Sequence, residues 1–268
     1  MKNEVLMEGY TDIDGLQVHY QAEGSGGAVI LIHSNGLSLG QWKHNVGPLS
    51  KYFKVYVPDL PGFGLSDKPD IEYGVEYYVN FLGAFMDALG IRKAALVGSS
   101  LGGAIVAAFA ARHPGRVTGL VLADPTGLVP VGLSRNKELY NVFVSLMVRS
   151  RRLYCRPMFY DSGAMKALEG TQLVTDSKES RDAFVKNCKA ILNYDPGYIK
   201  ALMSITVPAL IIWGEDDLLL PAEDAQKYCE LIPGAKVKLI GYCGHMPNVE
   251  KHQEFNALVL DFLAGIRH

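Results

Sequence analysis

The stretch Gly98-Ser99-Ser100-Leu101-Gly102 decides the fold of this chain, because it joins a short apolar segment to an alanine-rich one. Residues 94–97 have the length of a buried strand, and residues 103–111 favour a helix that ends before Pro114. Glycine at both flanking positions permits the close backbone approach of a sharp strand-to-helix turn. Such a turn lifts the Ser100 hydroxyl clear of the backbone, at the positive end of the helix. A pentapeptide of common residues also arises by chance, so its meaning depends on the rest of the chain.

Composition and charge describe an ordinary globular protein. The chain has 268 residues, of which 49% are hydrophobic and 20% charged, which suits one domain with an insertion. Its 26 basic and 28 acidic residues give a net charge of -2 and no reason to expect a nucleic-acid surface. A short basic cluster of Arg149, Arg151 and Arg152 fits either a solvated helix end or attraction of an acidic substrate. We therefore expect a small-molecule substrate as the partner.

The sequence favours a cytoplasmic location. The first eight residues carry acids and lack the apolar centre of a signal peptide, and no uncharged apolar run reaches membrane-spanning length. The four cysteines are scattered without a Cys-x-x-Cys pair, as reduced thiols would be, at Cys155, Cys188, Cys229 and Cys243. We expect neither a membrane nor a nucleic-acid partner, and a homodimer stays open.

Apolar strands alternate with helical patterns along most of the chain. A half-buried strand at 16–20 leads through a glycine-rich segment, 24–27, that we interpret as a hairpin turn. Buried strands are predicted at 28–32, 54–58, 94–97, 117–124, 208–213 and 237–240, and helices at 41–50, 75–89 and 249–266. This alternation predicts an α/β fold with a mostly parallel central sheet and helices on both faces.

One region breaks the alternation. No convincing strand lies between Asp124 and Val207, whereas helical spacing appears at 139–147 and 180–192. We interpret residues 128–200 as a helical cap inserted into a core formed by 1–127 and 201–268. The simpler alternative is a set of extra helices packed on the core. A cap would supply an apolar pocket, and the candidate substrate contacts are Phe143, Met147, Trp213 and Met246.

Polar residues that could form a catalytic group follow several of the predicted strands. Ligands of open parallel sheets bind beyond the carboxyl ends of the strands. A serine nucleophile needs a base in reach and an acid that orients the base. His245, in a glycine-flanked loop after the last strand, is the candidate base. Asp217 is the candidate acid, and Asp124 is its rival because it also ends a strand.

Four motifs, taken together in their order along the chain, resemble the alpha/beta-hydrolase family. They are Asp-Leu-Pro-Gly-Phe-Gly-Leu-Ser at 59–66, the elbow at 98–103, the acid turn at 213–217 and the histidine loop at 244–247. The resemblance implies a catalytic triad of Ser100, Asp217 and His245. It also implies an oxyanion hole formed by the backbone N–H groups of Asn35 and Leu101. No metal or organic cofactor is expected.

The same resemblance points to two reactions. The first is hydrolysis of a small to medium apolar carboxylic ester through an acyl-enzyme. The second is carbon–carbon bond hydrolysis of ring-cleavage products. Relatives of the second kind commonly show a glycine-rich oxyanion loop and a tryptophan after the catalytic histidine, where this chain has Ser34 and Met246. We therefore rank ester hydrolysis first, and a slow-turnover ligand receptor of the same fold is a third hypothesis. Ser100 argues against epoxide hydrolases and haloalkane dehalogenases, which carry aspartate at the elbow.

Overall fold

A central sheet organises the protein, which a computed structural model describes over residues 7–128, 137–192 and 196–266. Its strands are β1 (Met7–Ile13), β2 (Leu16–Glu23), β3 (Ala28–Ile32), β4 (Lys54–Pro58), β5 (Ala94–Ser99), β6 (Val117–Ala123), β7 (Ala209–Gly214) and β8 (Lys236–Ile240). Their order across the sheet is β1-β2-β4-β3-β5-β6-β7-β8. Only β1 and β2 run antiparallel to their neighbours, so the predicted α/β fold with a mostly parallel sheet is confirmed.

Helices follow most of the parallel strands. The α-helices of the described residues are α1 (Val46–Ser50), α2 (Val75–Ala88), α3 (Leu101–Arg112), α4 (Lys137–Met147), α5 (Arg151–Cys155), α6 (Lys178–Leu192), α7 (Pro196–Met203), α8 (Glu223–Leu231), α9 (Pro247–Glu250) and α10 (His252–Gly265). Within these ranges, none of the helices combines the length and the apolar character needed to cross a bilayer.

The hydrophobic core lies on both faces of the sheet. Alternate residues of each strand point to opposite faces, so Leu96 and Leu120 pack with helices α2 and α3, whereas Val97 and Val121 pack with α1 and α10. All four side chains are fully buried. Burying one such side chain contributes about 1.5–3 kcal/mol. The two layers hold the strands in register, and with them the loops at the carboxyl edge of the sheet.

The predicted hairpin at 24–27 is wrong. Strand β2 pairs with β1, across a tight turn at Asp14 and Gly15, and with β4 on its other side. Strand β3 lies beyond β4, where parallel neighbours flank it on both sides. The reason is burial: β3 is buried almost throughout and belongs inside the sheet, whereas the half-buried β2 suits its margin.

Two predicted helices are interrupted. The helix predicted at 41–50 is a 3-10 turn, Leu39–Trp42, followed by α1, in which Pro48 occupies the first turn that a proline tolerates. The helix predicted at 249–266 is α9 and α10, separated at Lys251, whose backbone leaves the helical region. Both differences arise from local backbone geometry that apolar periodicity does not report.

The described residues between β6 and β7 contain helices and 3-10 turns and no strand. Helices α4 and α6 begin within two residues of the stretches predicted at 139–147 and 180–192. Residues 129–136 and 193–195 of this segment lie outside the described residues. The division into a core and a cap at 128–200 stays a prediction.

Candidate active site

Ser100 lies at the junction of β5 and α3 in a strained backbone conformation. Its φ of 54° and ψ of −115° fall outside the helical and extended regions. A non-glycine residue is held there only when its surroundings compensate the strain. Here the Ser100 N–H donates to Ala123 O at 2.9 Å, and Ser100 O accepts from Ala104 N and Thr126 N. Three backbone bonds therefore fix the turn that carries the hydroxyl.

Glycine is required on both sides of this turn. A Cβ added at Gly98 would lie 2.2 Å from Gly102 O, and one added at Gly102 would lie 2.2 Å from Ile32 O. Both distances are shorter than any real Cβ contact with backbone. Hence the strand-to-helix turn predicted from the sequence depends on both glycines.

His245 and Asp217 form a buried hydrogen-bonded pair. His245 Nδ1 lies 2.7 Å from Asp217 Oδ2, and the two side chains are 4% and 0% exposed. Asp217 Oδ1 accepts from Leu219 N at 2.7 Å and Leu220 N at 3.0 Å. Three donors thus surround the Asp217 carboxylate and favour its charged form. A carboxylate at Nδ1 holds the proton there and leaves Nε2 as the acceptor, which is the arrangement of a general base.

Asp124, the rival acid, lies beside this pair. One side-chain oxygen of Asp124, one of Asp217 and a ring nitrogen of His245 all lie within 4.8 Å of one another. The ring hydrogen bond goes to Asp217, however, and Asp124 Oδ1 accepts instead from Gly214 N at 3.0 Å. Both acids follow strands at the carboxyl edge of the sheet, as the sequence predicts. Their hydrogen bonds show that they have different environments.

The serine and the histidine are not hydrogen-bonded to each other. Neither Ser100 Oγ nor His245 Nε2 has a hydrogen-bond partner among the described ranges. Ser100 follows β5 and His245 follows β8, both at the carboxyl edge of the sheet. The structure brings together the base and the acid, and the serine–histidine contact stays a prediction.

The loop after β3 contains the predicted oxyanion donor Asn35. His33, fully buried, donates from Nδ1 to Ser34 O at 2.8 Å and accepts at Nε2 from Leu60 N at 2.9 Å. Burial lowers its pKa, so it stays neutral and orders the loop. In the described part of the chain, the N–H groups of Asn35 and Leu101 donate no hydrogen bond to another residue. Free donors are what an oxyanion hole needs, and these two roles stay predictions.

Ser34 replaces the glycine that the family resemblance leads one to expect, and its hydroxyl has clear partners. Ser34 Oγ lies 3.0 Å from Ser99 Oγ, next to the elbow, and 4.0 Å from Met246 Sδ. The backbone N–H of Ser34 donates to Gln41 Oε1 at 2.8 Å. The serine therefore connects the loop after β3 to the elbow and to the histidine loop.

The helical segment after β6 packs directly on the same loop. The Tyr154 hydroxyl donates to Asn35 O, and Asn187 Nδ2 lies 3.2 Å from Asn35 Oδ1. Sequence reasoning missed both contacts. The signal for Asn187 is its position three and four residues after the buried Phe184 and Ala183, on the apolar face of α6.

The four predicted substrate contacts have different surroundings. Met147 in α4, Trp213 in β7 and Met246 are buried, at 6%, 0% and 0% exposed. Trp213 packs against Tyr228 and donates from Nε1 to Leu220 O at 3.4 Å. The Phe143 side chain lies outside the described residues. Contact with substrate stays a prediction for all four.

Asp124, Asp217 and His245 are the described residues whose spacing could ligate a metal ion. Their chemistry fits proton transfer better, because Nδ1 and Oδ2 already share a hydrogen bond. Cys243, also near, is buried, and this burial is the largest cause that raises the pKa of its thiol. A thiol held neutral in this way is not a nucleophile.

Comparison with known proteins shows which family the chain matches. A family model of the alpha/beta hydrolase fold matches residues 27–252. The chain is 30% identical, over 96% of its length and 91% of the relative's, to 2-hydroxy-6-oxo-6-(2'-aminophenyl)hexa-2,4-dienoic acid hydrolase of Metapseudomonas resinovorans.

Solved structures of other hydrolases are similar to this chain over most of its length. A membrane phospholipase A, described as a bacterial virulence factor, superposes with a TM-score of 0.83 at 29% identity, covering 98% of this chain and 87% of that one. The meta-cleavage product hydrolase CumD of Pseudomonas fluorescens IP01 gives a TM-score of 0.79 at 26% identity, covering 96% and 97%. The chain is thus similar both to a carbon–carbon bond hydrolase and to an ester-cleaving enzyme.

Proposed function

The chain belongs to the alpha/beta-hydrolase family and is a hydrolase, and we propose that it acts through a covalent intermediate on Ser100. The buried 2.7 Å pair of His245 and Asp217 is the observation that carries this proposal. A carboxylate-oriented imidazole with a free Nε2 is the base that a serine needs at neutral pH.

In the proposed reaction, His245 Nε2 takes the proton of Ser100 as Oγ attacks a substrate carbonyl. The N–H groups of Asn35 and Leu101 hold the oxyanion, each donor being worth about 3–4 kcal/mol in the transition state. The leaving group departs with the proton from His245. Water, deprotonated by the same histidine, then releases the acid and restores Ser100.

As substrate class we propose ring-cleavage products in which a ketone carbon is bonded to a conjugated chain. The support is the 30% identity, over nearly the whole chain, to a 2-hydroxy-6-oxo-hexadienoic acid hydrolase. This reverses the ranking made from the sequence. The leaving group is then carbon: the bond beside the ketone breaks, the electron pair stays on the conjugated chain, and His245 supplies the proton to it.

A carboxylic ester is the second candidate, and a specific observation favours it. Ring-cleavage products of this kind carry a carboxylate, which calls for a cation in the pocket. Arg149 and Arg152, the helical-segment arginines proposed for that role, are both exposed. The similarity to a phospholipase A also supports ester cleavage.

The proposed cap would cover the site in either case. The hydrogen bonds of Tyr154 and Asn187 to Asn35 support this, because they join the helical segment to the oxyanion loop. Buried Met147 would supply apolar surface for the substrate.

A side-by-side assay tests the proposal. Purified protein is given 2-hydroxy-6-oxo-6-phenylhexa-2,4-dienoate and short p-nitrophenyl esters, with Ser100→Ala as the control. We expect sustained turnover of the dienoate and none in Ser100→Ala. Turnover of the esters alone would move the assignment to ester hydrolysis. A single stoichiometric burst would indicate a receptor, and activity retained in Ser100→Ala would overturn the role of the serine.

A further inference from the structure

Asp124 is a buried carboxyl group that the proposed reaction does not use. It follows β6 with a positive φ of 42°, and it is 0% exposed. Its Oδ1 accepts one hydrogen bond, from Gly214 N at 3.0 Å. Its Oδ2 is buried and has no hydrogen-bond partner among the described residues. An ionised carboxylate with a bare buried oxygen is costly, so this site disfavours a charge.

Asp217 competes with Asp124 for the negative charge at this position. The two carboxyl groups each place an oxygen within 4.8 Å of the other and of a His245 ring nitrogen. Two like charges so close in a buried space raise the pKa of one group. Asp217 receives three hydrogen bonds, from Leu219 N, Leu220 N and His245 Nδ1, whereas Asp124 receives one. The charge therefore settles on Asp217 and the proton on Asp124.

The other groups that face Asp124 do not change this balance. Cys243, on the loop after β8, is held as a neutral thiol. Burial, followed by the negative charge of Asp217, raises the pKa of the Asp124 carboxyl well above its usual range. His245, also after β8, gives its Nδ1 to Asp217.

We propose that Asp124 is a positioning residue that stays protonated and neutral, so that Asp217 keeps the single negative charge facing His245. This inference rests on the roles given to Asp217 and His245 in the proposed function. As a neutral acid, Asp124 fixes the Gly214 N–H at the end of β7, three residues before Asp217. It does so without adding a second charge that would hold a proton on His245.

Infrared spectroscopy tests the protonation directly, without any substrate. A protonated carboxyl has a C=O stretch distinct from that of a carboxylate. We expect this band at neutral pH in the wild type and in Glu215→Gln, which removes an exposed carboxyl of the same turn. We expect its loss in Asp124→Asn. A wild type without any neutral-carboxyl band overturns the proposal, whatever the variants do, and so does a band that survives in Asp124→Asn.

The activities of two Asp124 variants distinguish a positioning role of this residue from a purely structural one. Asp124→Ala leaves the Gly214 N–H without its acceptor, and we expect kcat/KM to fall by about 10–100-fold for one lost buried hydrogen bond. Asp124→Asn should rescue most of that loss, because an amide accepts from Gly214 and is neutral like the protonated acid. A loss in Asp124→Asn as large as in Asp217→Asn would mean that position 124 must be charged and would overturn the proposal. If the infrared result holds while the enzyme hydrolyses none of the substrates, the proposed function fails and this inference stands.

Discussion

Two histidine–aspartate pairs of the described residues are buried and have the same N–O distance, and we propose a catalytic role for only one of them. In the site pair, His245 Nδ1 lies 2.7 Å from Asp217 Oδ2. In what we call the edge pair, His19 Nδ1 of β2 lies 2.7 Å from Asp59 Oδ2. The imidazoles are equally buried, at 4% side-chain exposure. Distance and burial therefore do not distinguish a catalytic histidine from a structural one.

The second ring nitrogen makes the difference. His19 Nε2 lies 3.1 Å from Glu8 Oε1, so both nitrogens of this ring face carboxylate oxygens. The hydrogen bond to Asp59 raises the pKa of His19 and so favours the imidazolium, the form that cannot accept a proton. His245 Nε2 has no partner among the described residues. A histidine can act as a general base only when one of its ring nitrogens is free to accept a proton.

Replacing the aspartate of each pair should give the largest difference between the two pairs. We expect Asp217→Asn to lower kcat by about 10⁴-fold, because the amide favours the wrong tautomer of His245. We expect Asp59→Asn to leave turnover of the folded protein largely intact and to lower stability, because Asp59 accepts from Leu39 N, Leu65 N and His19. Steady-state kinetics and denaturant unfolding of both variants check this. Equal losses of turnover would end the distinction between the pairs.

Low pH should reduce the activity that depends on the site pair, whereas high pH should reduce the stability that the edge pair contributes. We expect hydrolysis to fall as the pH is lowered, because a protonated imidazole cannot take the proton of Ser100. The measurement is kcat/KM against pH, over a range in which circular dichroism shows the protein folded. A flat profile through mild acid would remove His245 as the base.

The edge pair should contribute stability that is lost as pH rises. The folded-state pKa of His19 is raised above the value of a free imidazole. Its contribution is thus fully present below the unfolded pKa of about 6.5 and disappears as pH climbs through the higher folded value. We expect His19→Gln to lower the free energy of unfolding in mild acid, and to lower it less in alkali, because the raised pKa stabilises the folded state only while the imidazole is protonated. Urea unfolding across pH tests this, and a deficit that grows with pH would contradict it.

The sequence predicts the ends of the strands better than it predicts which strands pair. Ser100, Asp217 and His245 each follow a strand, and local patterns of glycine and apolar residues locate strand ends well. The pairing of β2 with β4 could not be predicted, because residues 24–27 are as compatible with a crossover as with a hairpin. That choice depends on which strand is buried on both faces, which is a property of the assembled sheet.

The contacts between the loops around the site could not be predicted from the sequence either. Ser34 and Ser99 are 65 positions apart, and Asn35 and Asn187 are 152 apart. A single serine or asparagine carries no periodic signal that names its partner. Likewise, the local sequence does not distinguish His19 from His245. Only the residues that surround each ring in space show whether its second nitrogen has a hydrogen-bond partner.

The smallest expected effect concerns Ser34, which lies in the loop after β3 where the family resemblance leads one to expect glycine. Ser34→Gly removes the hydroxyl that contacts Ser99 and Met246, while the backbone N–H can still donate to Gln41. We expect a loss of about 1 kcal/mol in stability, the usual value of one net hydrogen bond with some added backbone freedom. We expect a fall of only a few-fold in kcat, since Asn35 keeps its contacts with Tyr154 and Asn187. Thermal unfolding and steady-state kinetics measure the two effects. A loss of kcat approaching that of Asp217→Asn would show that the shape of this loop, and not the free nitrogen of His245, decides which histidine–aspartate pair is catalytic.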